Sequence, residues 1–323
     1  MKYKVILTRR YQEEAIAQLS EAFELIVVED SGKSLPEILK ENPDTAALIS
    51  FLSDRIDKEI IDLAPQLKII ANYAVGYNNI DVSYAVRKGI PVTHTPDVLT
   101  RATADLTMAL ILAAGRRIVE SDRFLREGKF TGWGANLMLG KELNGAVIGI
   151  VGMGRIGRAV AERAAGFGMK ITYYDTTRKP GLEEKYGFLY RPFRELVKAA
   201  DIVTLHIPSY PAVHRLFNKD IFDVMKKDAI FINVSRGDLV DEAYLAEKLE
   251  KKELFAAGLD VYEFEPAVNE RLLKLENAVL VPHIGSATYT ARMGMAQLTV
   301  DNVRRVLAGK EPVTPVPECR HKD

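Results

Sequence analysis

Three polar residues stand where apolar, strand-like runs end in the second half of the chain. Arg236 follows AIFINVS, Glu265 lies in YEFEP after FAAGLDV, and His283 follows AVLVP. A guanidinium can clamp a carboxylate through two parallel hydrogen bonds, and a histidine beside a carboxylate can give or take a proton. Each residue also has a plainer explanation. Arg236 suits a surface ion pair with Asp238, Glu265 suits a solvated loop acid, and an isolated histidine is commonly structural.

A glycine fingerprint precedes these three positions. Residues 145–157 read GAVIGIVGMGRIG, an apolar run that leads into Gly152-x-Gly154-x-x-Gly157 and then a helix-like segment, 155–167. The first glycine permits a tight turn, the second lets the backbone approach a pyrophosphate, and the third lets the helix pack closely on the strand. Free N–H groups and the helix dipole favour phosphate at the start of such a helix. The pattern predicts a dinucleotide-binding site.

The acid that closes the next apolar run, KITYYD, is Asp175, and it bears on the expected cofactor. Its carboxylate can accept hydrogen bonds from both hydroxyls of an adenosine ribose and would repel a 2′-phosphate, which favours NAD(H). Arg178, three residues later in DTTRK, is a cation that a 2′-phosphate could contact. NADP(H) therefore stays open.

Together these residues suit one reaction. A dehydrogenase that reduces a 2-oxoacid needs a cation for the carboxylate and carbonyl, a proton donor for the carbonyl oxygen, and an anion that supports the donor. Arg236, His283 and Glu265 fit those needs in that order. The AVGY loop, 74–77, offers successive backbone N–H groups for a carboxylate. No cluster of His, Cys and Asp has zinc-ligand spacing, so we expect no metal.

Composition narrows the class of protein. The 323 residues suggest two domains of about 150 residues each. The chain is 47% hydrophobic, which excludes disorder as its main state, and its 44 Lys+Arg balance 44 Asp+Glu. That balance argues against nucleic-acid binding, and the best apolar run, 106–115, is far too short to span a membrane. With Cys319 as the only cysteine, no internal disulfide is possible, and we expect a cytoplasmic protein.

The elements that must position these residues form two series of strand candidates separated by helix-like segments. The first series comprises 4–8, 25–28, 46–51, 68–73 and 91–95, and the second comprises 146–152, 170–175, 201–207, 229–235, 255–261 and 278–283. Such alternation predicts doubly wound parallel sheets of the α/β class. A long apolar-rich helix is predicted over 102–126. The last helix, 290–307, has no strand after it and is expected to dock back on the first domain.

Five ordered motifs make the chain similar, along essentially its whole length, to the D-isomer-specific 2-hydroxyacid dehydrogenases. They are YAVGYNNID (73–81), VGMGRIGRAVAERAAGFGMK (151–170), INVSRGDLVDEAYL (232–245), GLDVYEFEP (258–266) and VPHIGSAT (281–288). The resemblance implies that Arg236, Glu265 and His283 are catalytic. It also implies two Rossmann-like doubly wound parallel-sheet domains. The NAD(P)-binding domain, 99–287, would be inserted in a split, flavodoxin-like substrate domain, 1–98 and 288–323.

The resemblance further implies binding residues and an assembly. Cofactor contacts are expected at Thr107, Gly152, Gly154, Arg155, Ile156, Gly157, Asp175, His206, Pro208, Val234, Asp260, His283 and Gly285. Substrate contacts are expected at Leu52, Val75, Gly76, Arg236 and His283. The helix 102–126 and the following GKFTGWGANLMLG look like the dimerisation region of the family, so the expected assembly is a homodimer.

Within the family, GKFTGW, GMGRIG and YYDTTRKP are most similar to glyoxylate/hydroxypyruvate reductases. Archaeal-type glyoxylate reductases can carry serine, as in YYSRTRKP, where this chain has Asp175, and the difference favours NAD(H). The resemblance thus implies NAD(P)H-dependent reduction of glyoxylate or hydroxypyruvate to the 2-hydroxyacid, the D-isomer where the product is chiral. His283 would be the acid–base group.

Two alternatives stay open. Phosphite dehydrogenases share the fold but carry lysine in the substrate loop, as ALKGFDN, at the position of Val75. Loss of that cation fits a monocarboxylate better than a phosphite dianion. The C-terminal binding proteins, which are dinucleotide-sensing corepressors, also share the fold, but they carry long tails and peptide grooves.

Overall fold

A computed structural model of the chain describes residues 2–320, which form two compact units. The first unit comprises Met1–Leu99 and Ser286–Asp323, and the second comprises Thr100–Gly285. His321, expected from the sequence to lie in a terminal tail, is outside the described residues. Within residues 2–320, no helix combines the length and the apolar character needed to cross a membrane.

Every strand pairing in both units is parallel. The strands, in chain order, are β1 (Lys4–Leu7), β2 (Glu24–Val27), β3 (Thr45–Ser50), β4 (Ile69–Asn72), β5 (Val92–Thr93), β6 (Val147–Val151), β7 (Lys170–Tyr174), β8 (Leu189–Tyr190), β9 (Ile202–Leu205), β10 (Ile230–Asn233), β11 (Ala256–Leu259) and β12 (Ala278–Leu280).

Helices connect these strands, as parallel pairing requires. They are α1 (Glu13–Ala22), α2 (Val28–Ser31), α3 (Leu35–Glu41), α4 (Lys58–Asp62), α5 (Val82–Arg87), α6 (Thr100–Gly115), α7 (Ile118–Arg126), α8 (Arg155–Gly166), α9 (Pro180–Tyr186), α10 (Phe193–Ala199), α11 (Lys219–Phe222), α12 (Glu242–Glu250), α13 (Glu270–Leu273) and α14 (Tyr289–Leu307).

The first unit contains a five-stranded sheet in the order β2-β1-β3-β4-β5, which is the flavodoxin-like order. All residues of β3 and β4 are buried, as expected for inner strands that helices cover on both faces. Helix α14 packs against α1, β3 and β4, so the end of the chain completes the core of this unit.

The second unit contains a seven-stranded sheet in the order β12-β11-β10-β9-β6-β7-β8. Apolar side chains of α6 and α8 cover one face, and those of α10 and α12 cover the other. The chain moves outward from β6 through β7 to β8, and then continues from β9 on the other side of β6. Ligands of such sheets bind at this switch point, outside the carboxyl ends of the strands.

The predicted fold class, doubly wound parallel sheets in two domains, is confirmed. Each predicted run of the second series corresponds to one strand: β6, β7, β9, β10, β11 or β12. The short edge strand β8 was not predicted, because its two residues, Leu189 and Tyr190, form no apolar run.

The prediction of one continuous helix over 102–126 was wrong. Helix α6 ends at Gly115 and α7 begins at Ile118, and Arg117 between them has a left-handed backbone with φ 53°. The N–H of Lys141 donates to the carbonyl of Gly115 at 2.7 Å, while the Arg117 guanidinium pairs with Glu120. The backbone at Lys141 thus binds a carbonyl at the end of α6, and the chain changes direction at Arg117.

Candidate active site

The glycine fingerprint forms the turn between β6 and α8, and close packing explains two of its three glycines. A Cβ at Gly152, where φ is 98°, would lie 2.5 Å from the carbonyl oxygen of His206. A Cβ at Gly157 would lie 2.0 Å from the carbonyl oxygen of Gly152. At Gly154, the N-cap of α8, a Cβ would meet no atom within 4 Å. The space beside Gly154 is therefore open on the side from which a phosphate approaches such a loop.

Asp175 is tied to this glycine turn through its carboxylate. Its Oδ2 accepts the N–H of Met153 at 2.9 Å, and its Oδ1 accepts the N–H of Thr177 at 3.0 Å. Both hydrogen bonds hold the acid at the carboxyl end of β7, next to the turn. This placement suits a group that binds the ribose of a dinucleotide whose phosphates lie on α8.

Other expected cofactor residues lie near the carboxyl ends of later strands or on α6. His206 follows β9, with its Nε2 3.0 Å from Oγ1 of Thr204, and burial lowers the pKa of His206 to about 3, so the ring is neutral near pH 7. The Thr107 hydroxyl is fully buried and donates to a carbonyl one turn earlier in α6. Val234 is buried and Pro208 is exposed. Arg155 and Ile156 begin α8.

A buried asparagine shapes the turn that carries Arg236. Asn233, the last residue of β10, is 1% exposed. Its side chain accepts the N–H of Ser235 at 3.0 Å and donates to the carbonyl of Arg236 at 2.8 Å. The next residue, Gly237, packs so closely that a Cβ there would lie 1.8 Å from the carbonyl carbon of Tyr262. The Arg236 turn and the loop after β11 are thus in direct backbone contact.

The guanidinium of Arg236 lies in a partly desolvated position. Its Nη1 donates to the carbonyl of Ser235 at 2.6 Å. Burial lowers the pKa of Arg236, and the negative charges of Glu265 and Asp238 counteract that shift. A guanidinium nevertheless stays charged at any pH at which the protein is folded. Such a cation interacts strongly with an anionic ligand, because little water screens it.

His283 and Glu265 form a hydrogen-bonded ion-pair geometry. The Nδ1 of His283 lies 2.8 Å from Oε2 of Glu265, and Oε1 of Glu265 accepts the N–H of Tyr262 at 3.0 Å. Burial by itself raises the pKa of Glu265, but the hydrogen bond and charge of His283 outweigh it, so that pKa lies below its usual value. Since Nδ1 faces the carboxylate, Nε2 is the ring atom able to exchange a proton with a ligand.

Asp260 holds the backbone that presents His283. It is 1% exposed, and its two carboxylate oxygens accept the N–H groups of Ile284 at 2.6 Å and Gly285 at 2.8 Å. His283 itself has φ 53°, a left-handed conformation that is uncommon for residues with a Cβ. Burial raises the pKa of Asp260, with the turn hydrogen bonds opposing it. The side chain of Asp260 thus stabilises a strained turn.

In the first unit, the loop after β4 carries Val75 and Gly76. Three successive carbonyls of this loop are bound by donors of the unit: Ala74 by the N–H of Thr95 at 2.9 Å, Val75 by Nδ1 of His94 at 2.9 Å, and Gly76 by Nδ2 of Asn72 at 2.8 Å. In a trans peptide the N–H points opposite to the carbonyl. The N–H groups of residues 75–77 therefore face away from these partners. Leu52, after β3, is 38% exposed.

Sequence reasoning missed the residues that fix these loops. Neither Asn72 nor Asn233 was singled out in the sequence. Both asparagines end a buried strand, so a polar residue closing an apolar run was the available signal. Within residues 2–320, no group of three or more His, Cys, Asp or Glu side chains is arranged to hold a metal ion.

Comparison with known proteins gives a consistent result. Residues 108–285 match the NAD-binding domain of the D-isomer-specific 2-hydroxyacid dehydrogenases. A glyoxylate reductase of Thermococcus onnurineus is 46% identical over 319 residues, covering 97% of this chain and 96% of that protein. A glyoxylate reductase of Pyrococcus horikoshii is 46% identical over 320 residues, with the same coverage of 97% and 96%.

Solved structures agree. A Thermus thermophilus protein superposes with a TM-score of 0.90 at 44% identity, covering 97% of this chain and 99% of that one. An NADPH-dependent glyoxylate/hydroxypyruvate reductase of Sinorhizobium meliloti, in complex with NADP and malonate, superposes with a TM-score of 0.89 at 32% identity. That match covers 100% of both chains.

Proposed function

Because this chain belongs to the family of D-isomer-specific 2-hydroxyacid dehydrogenases, we propose that it reduces glyoxylate or hydroxypyruvate to the 2-hydroxyacid with NAD(P)H. It is a pyridine-nucleotide-dependent oxidoreductase. The observation that carries the substrate class is the contact of His283 with Glu265, in the same unit as Arg236 and the glycine turn. This set supplies the cation, the proton donor and the supporting anion that reduction of a 2-oxoacid needs.

His283 is proposed to donate the proton. When bound, the reduced nicotinamide supplies a hydride to the carbonyl carbon. The carbonyl oxygen, as it gains negative charge, would take a proton from Nε2 of His283, while the carboxylate of Glu265 holds the ring at Nδ1. Arg236 is proposed to bind the carboxylate and carbonyl oxygens of the substrate, because its planar fork matches two oxygens at once.

The first unit is proposed to contribute to substrate binding through its backbone. The N–H groups of Val75 and Gly76 are assigned to the substrate carboxylate, because the carbonyls of the same two peptide groups, those of Ala74 and Val75, are bound on the opposite side. Leu52 is assigned to the wall next to the substrate side chain. A loop that carries Val75 and no cation at that position fits the monocarboxylates glyoxylate and hydroxypyruvate.

NAD(H) is the proposed preferred cofactor. The open space at Gly154 is compatible with a pyrophosphate on the start of α8, and a side chain there would fill that space. Asp175 supports the choice of NAD(H), since its charge opposes a 2′-phosphate. Thr107, His206, Pro208, Val234, Asp260 and Gly285 are proposed to line the rest of the dinucleotide site.

A substrate scan tests the function. Oxidation of NADH and NADPH is followed by absorbance with glyoxylate, hydroxypyruvate and pyruvate, and reduction of NAD is followed with phosphite. The expected result is faster turnover of glyoxylate or hydroxypyruvate than of pyruvate. Turnover of phosphite with NAD, without turnover of either 2-oxoacid, would overturn the proposal.

A homodimer is the proposed assembly. The segment from α7 to residue 139 exposes large apolar side chains, including Leu125 at 59%, Trp133 at 87% and Leu139 at 60%. An apolar surface of this kind is typical of an interface, and a second copy of the chain is the proposed occupant. Light scattering on a sizing column is expected to give twice the 36.0 kDa chain mass. A monomer at micromolar concentration would contradict it.

The proposed location is the cytoplasm, where dinucleotide cofactors and small 2-oxoacids are available. Fractionation of cells that produce the tagged chain is expected to recover its activity with the cytoplasmic enzymes. Recovery with the membrane or extracellular fraction would contradict this location.

A further inference from the structure

The loop between β7 and α9 carries a cation, Arg178, that is paired with the carboxylate of Glu183. Arg178 belongs to the segment DTTRK, 175–179, and its side chain is 62% exposed. Its Nε donates to Oε1 of Glu183 at 2.8 Å and its Nη2 donates to Oε2 at 2.7 Å. The guanidinium also lies over the ring of Tyr190, 5.7 Å from its centre. A bidentate pair with a stacked guanidinium is the stronger form of an exposed ion pair.

Glu183 is fixed from inside the unit. The hydroxyl of Tyr173, a fully buried residue of β7, donates to Oε1 of Glu183 at 2.8 Å. The same hydroxyl accepts the N–H of Lys179 at 2.8 Å. The Glu183 side chain is only 17% exposed, and hydrogen bonds from Arg178 and then Tyr173 lower its pKa to about 2. The carboxylate is therefore charged and held in place at any pH at which the enzyme would work.

We propose that Glu183 is a specificity-determining residue, which disfavours a 2′-phosphate by engaging the guanidinium of Arg178. The inference rests on the proposed use of NAD(H) at this site. The segment DTTRK has two cations. Arg178 is the one assigned to a 2′-phosphate, because Nζ of Lys179 lies 3.8 Å from Oδ1 of Asp175. Asp175 thus opposes the phosphate directly, and Glu183 opposes it by competing for its counter-ion.

The Arg178–Glu183 pair is expected to weaken NADPH binding, not to prevent it. An exposed ion pair contributes little on its own, and a 2′-phosphate carries more charge than one carboxylate. NADPH can therefore displace Glu183 from Arg178, at a cost in affinity. Removing the charge of Glu183 should release the guanidinium and tighten NADPH binding without a new contact.

The test compares dissociation constants of NADPH and NADH, measured by fluorescence titration. Glu183→Gln keeps an acceptor for Tyr173 and removes the charge. The ratio of the NADPH to the NADH dissociation constant is expected to fall about fivefold. Glu184→Gln is the matched control, because it removes the same charge from the exposed neighbouring residue, and its ratio should change less than about twofold.

Variants that lack Arg178 test whether the effect of Glu183 depends on this guanidinium. In the double variant Glu183→Gln/Arg178→Gln the gain should disappear. In Arg178→Gln alone, the ratio should rise less than about twofold, since the guanidinium is already engaged. Competition by adenosine 2′,5′-bisphosphate and by AMP, which probe the ribose end alone, should follow the same pattern.

Four results would overturn the inference: an unchanged ratio in Glu183→Gln, an equal fall in Glu184→Gln, a gain that persists without Arg178, or a tenfold rise in Arg178→Gln alone. The last of these needs only an exposed substitution and does not depend on the folding of a Glu183 variant. Failure of the wild-type chain to bind NADH at all would instead refute the proposed function.

Discussion

The Nδ1 atom of His283 lies 2.8 Å from Oε2 of Glu265, and the other oxygen of that carboxylate accepts the N–H of Tyr262 at 3.0 Å. The carboxylate is thus anchored to the backbone on one side and faces the ring with the other. The carboxylate has two separable features: it orients the ring of His283, and it places a negative charge beside Nδ1. Kinetics as a function of pH distinguishes them.

Replacing Glu265 by Gln should move both pH limbs of the reaction. Gln keeps the shape but has one acceptor oxygen, so it can serve either the His283 ring or the N–H of Tyr262, and it removes the charge that faces the ring. The alkaline fall of reductive kcat/KM should move to lower pH, and the acid limb of oxidation should move the same way. Glu270→Gln, an exposed change on α13, should leave both limbs in place. Lower rates with unmoved limbs would leave only the orienting role.

Arg236→Lys should lower kcat/KM for glyoxylate by at least about tenfold, or ~1.4 kcal/mol of transition-state stabilisation. Lysine keeps the charge but cannot present two parallel N–H groups to a carboxylate. Arg271→Lys makes the same change at the bidentate surface pair with Glu250 and should be indistinguishable from wild type. Steady-state kinetics of both variants checks the expectation, and near wild-type turnover by Arg236→Lys would refute the clamp.

Two substitutions in the glycine turn should have different effects, one on stability and the other on NADH binding. Gly157→Ala places a Cβ 2.0 Å from the carbonyl oxygen of Gly152 and should cost about 1–3 kcal/mol of stability. Gly154→Ala meets no protein atom within 4 Å, so its Tm should stay near wild type while the NADH dissociation constant rises about tenfold. Gly166→Ala, at the end of α8, is the helical control. Thermal melts and NADH titration measure both effects, and unimpaired NADH binding by Gly154→Ala would exclude the pyrophosphate from that space.

Asn72→Ala should weaken substrate binding more than catalysis. The buried amide donates to the carbonyl of Gly76 at 2.8 Å, and without it the loop that carries the N–H groups of Val75 and Gly76 loses one of its fixed points. We expect KM for the 2-oxoacid to rise about tenfold with a smaller change in kcat. Asn42→Ala removes a similar bond, 2.8 Å to the carbonyl of Ile38, and should cost stability without raising KM. An equal rise in KM for both variants would mean general loosening of the unit.

Sequence analysis predicted the strands and indicated candidate site residues because both leave local signals. Apolar runs that end in glycine or a polar residue mark buried parallel strands, and the glycine fingerprint has a fixed spacing. Arg236, Glu265 and His283 each follow such a run. These three residues can therefore be selected as candidates from the sequence, without knowledge of the fold.

The features that the sequence did not predict depend on contacts between segments that are distant in the chain. At the break near Arg117, the N–H of Lys141 donates to the carbonyl of Gly115, and a contact between segments so far apart in the chain leaves no local pattern. The bidentate pair of Arg178 and Glu183 likewise requires α9 to fold back over β7. Sequence reasoning considered Arg178 as a phosphate contact, and the structure adds the carboxylate that competes for it.

The residues proposed for acid–base chemistry and for dinucleotide binding all belong to Thr100–Gly285, which is one uninterrupted stretch of the chain. Leu52, Val75 and Gly76 belong to the unit built from the two ends. A single segment of the gene therefore encodes the residues proposed for the chemistry, and the flanking segments encode Leu52, Val75 and Gly76, which are proposed to bear on the choice of oxoacid. Recombination at junctions near residues 99 and 286 would exchange one without the other, so descendants of such a gene can acquire new substrates while inheriting the reaction intact.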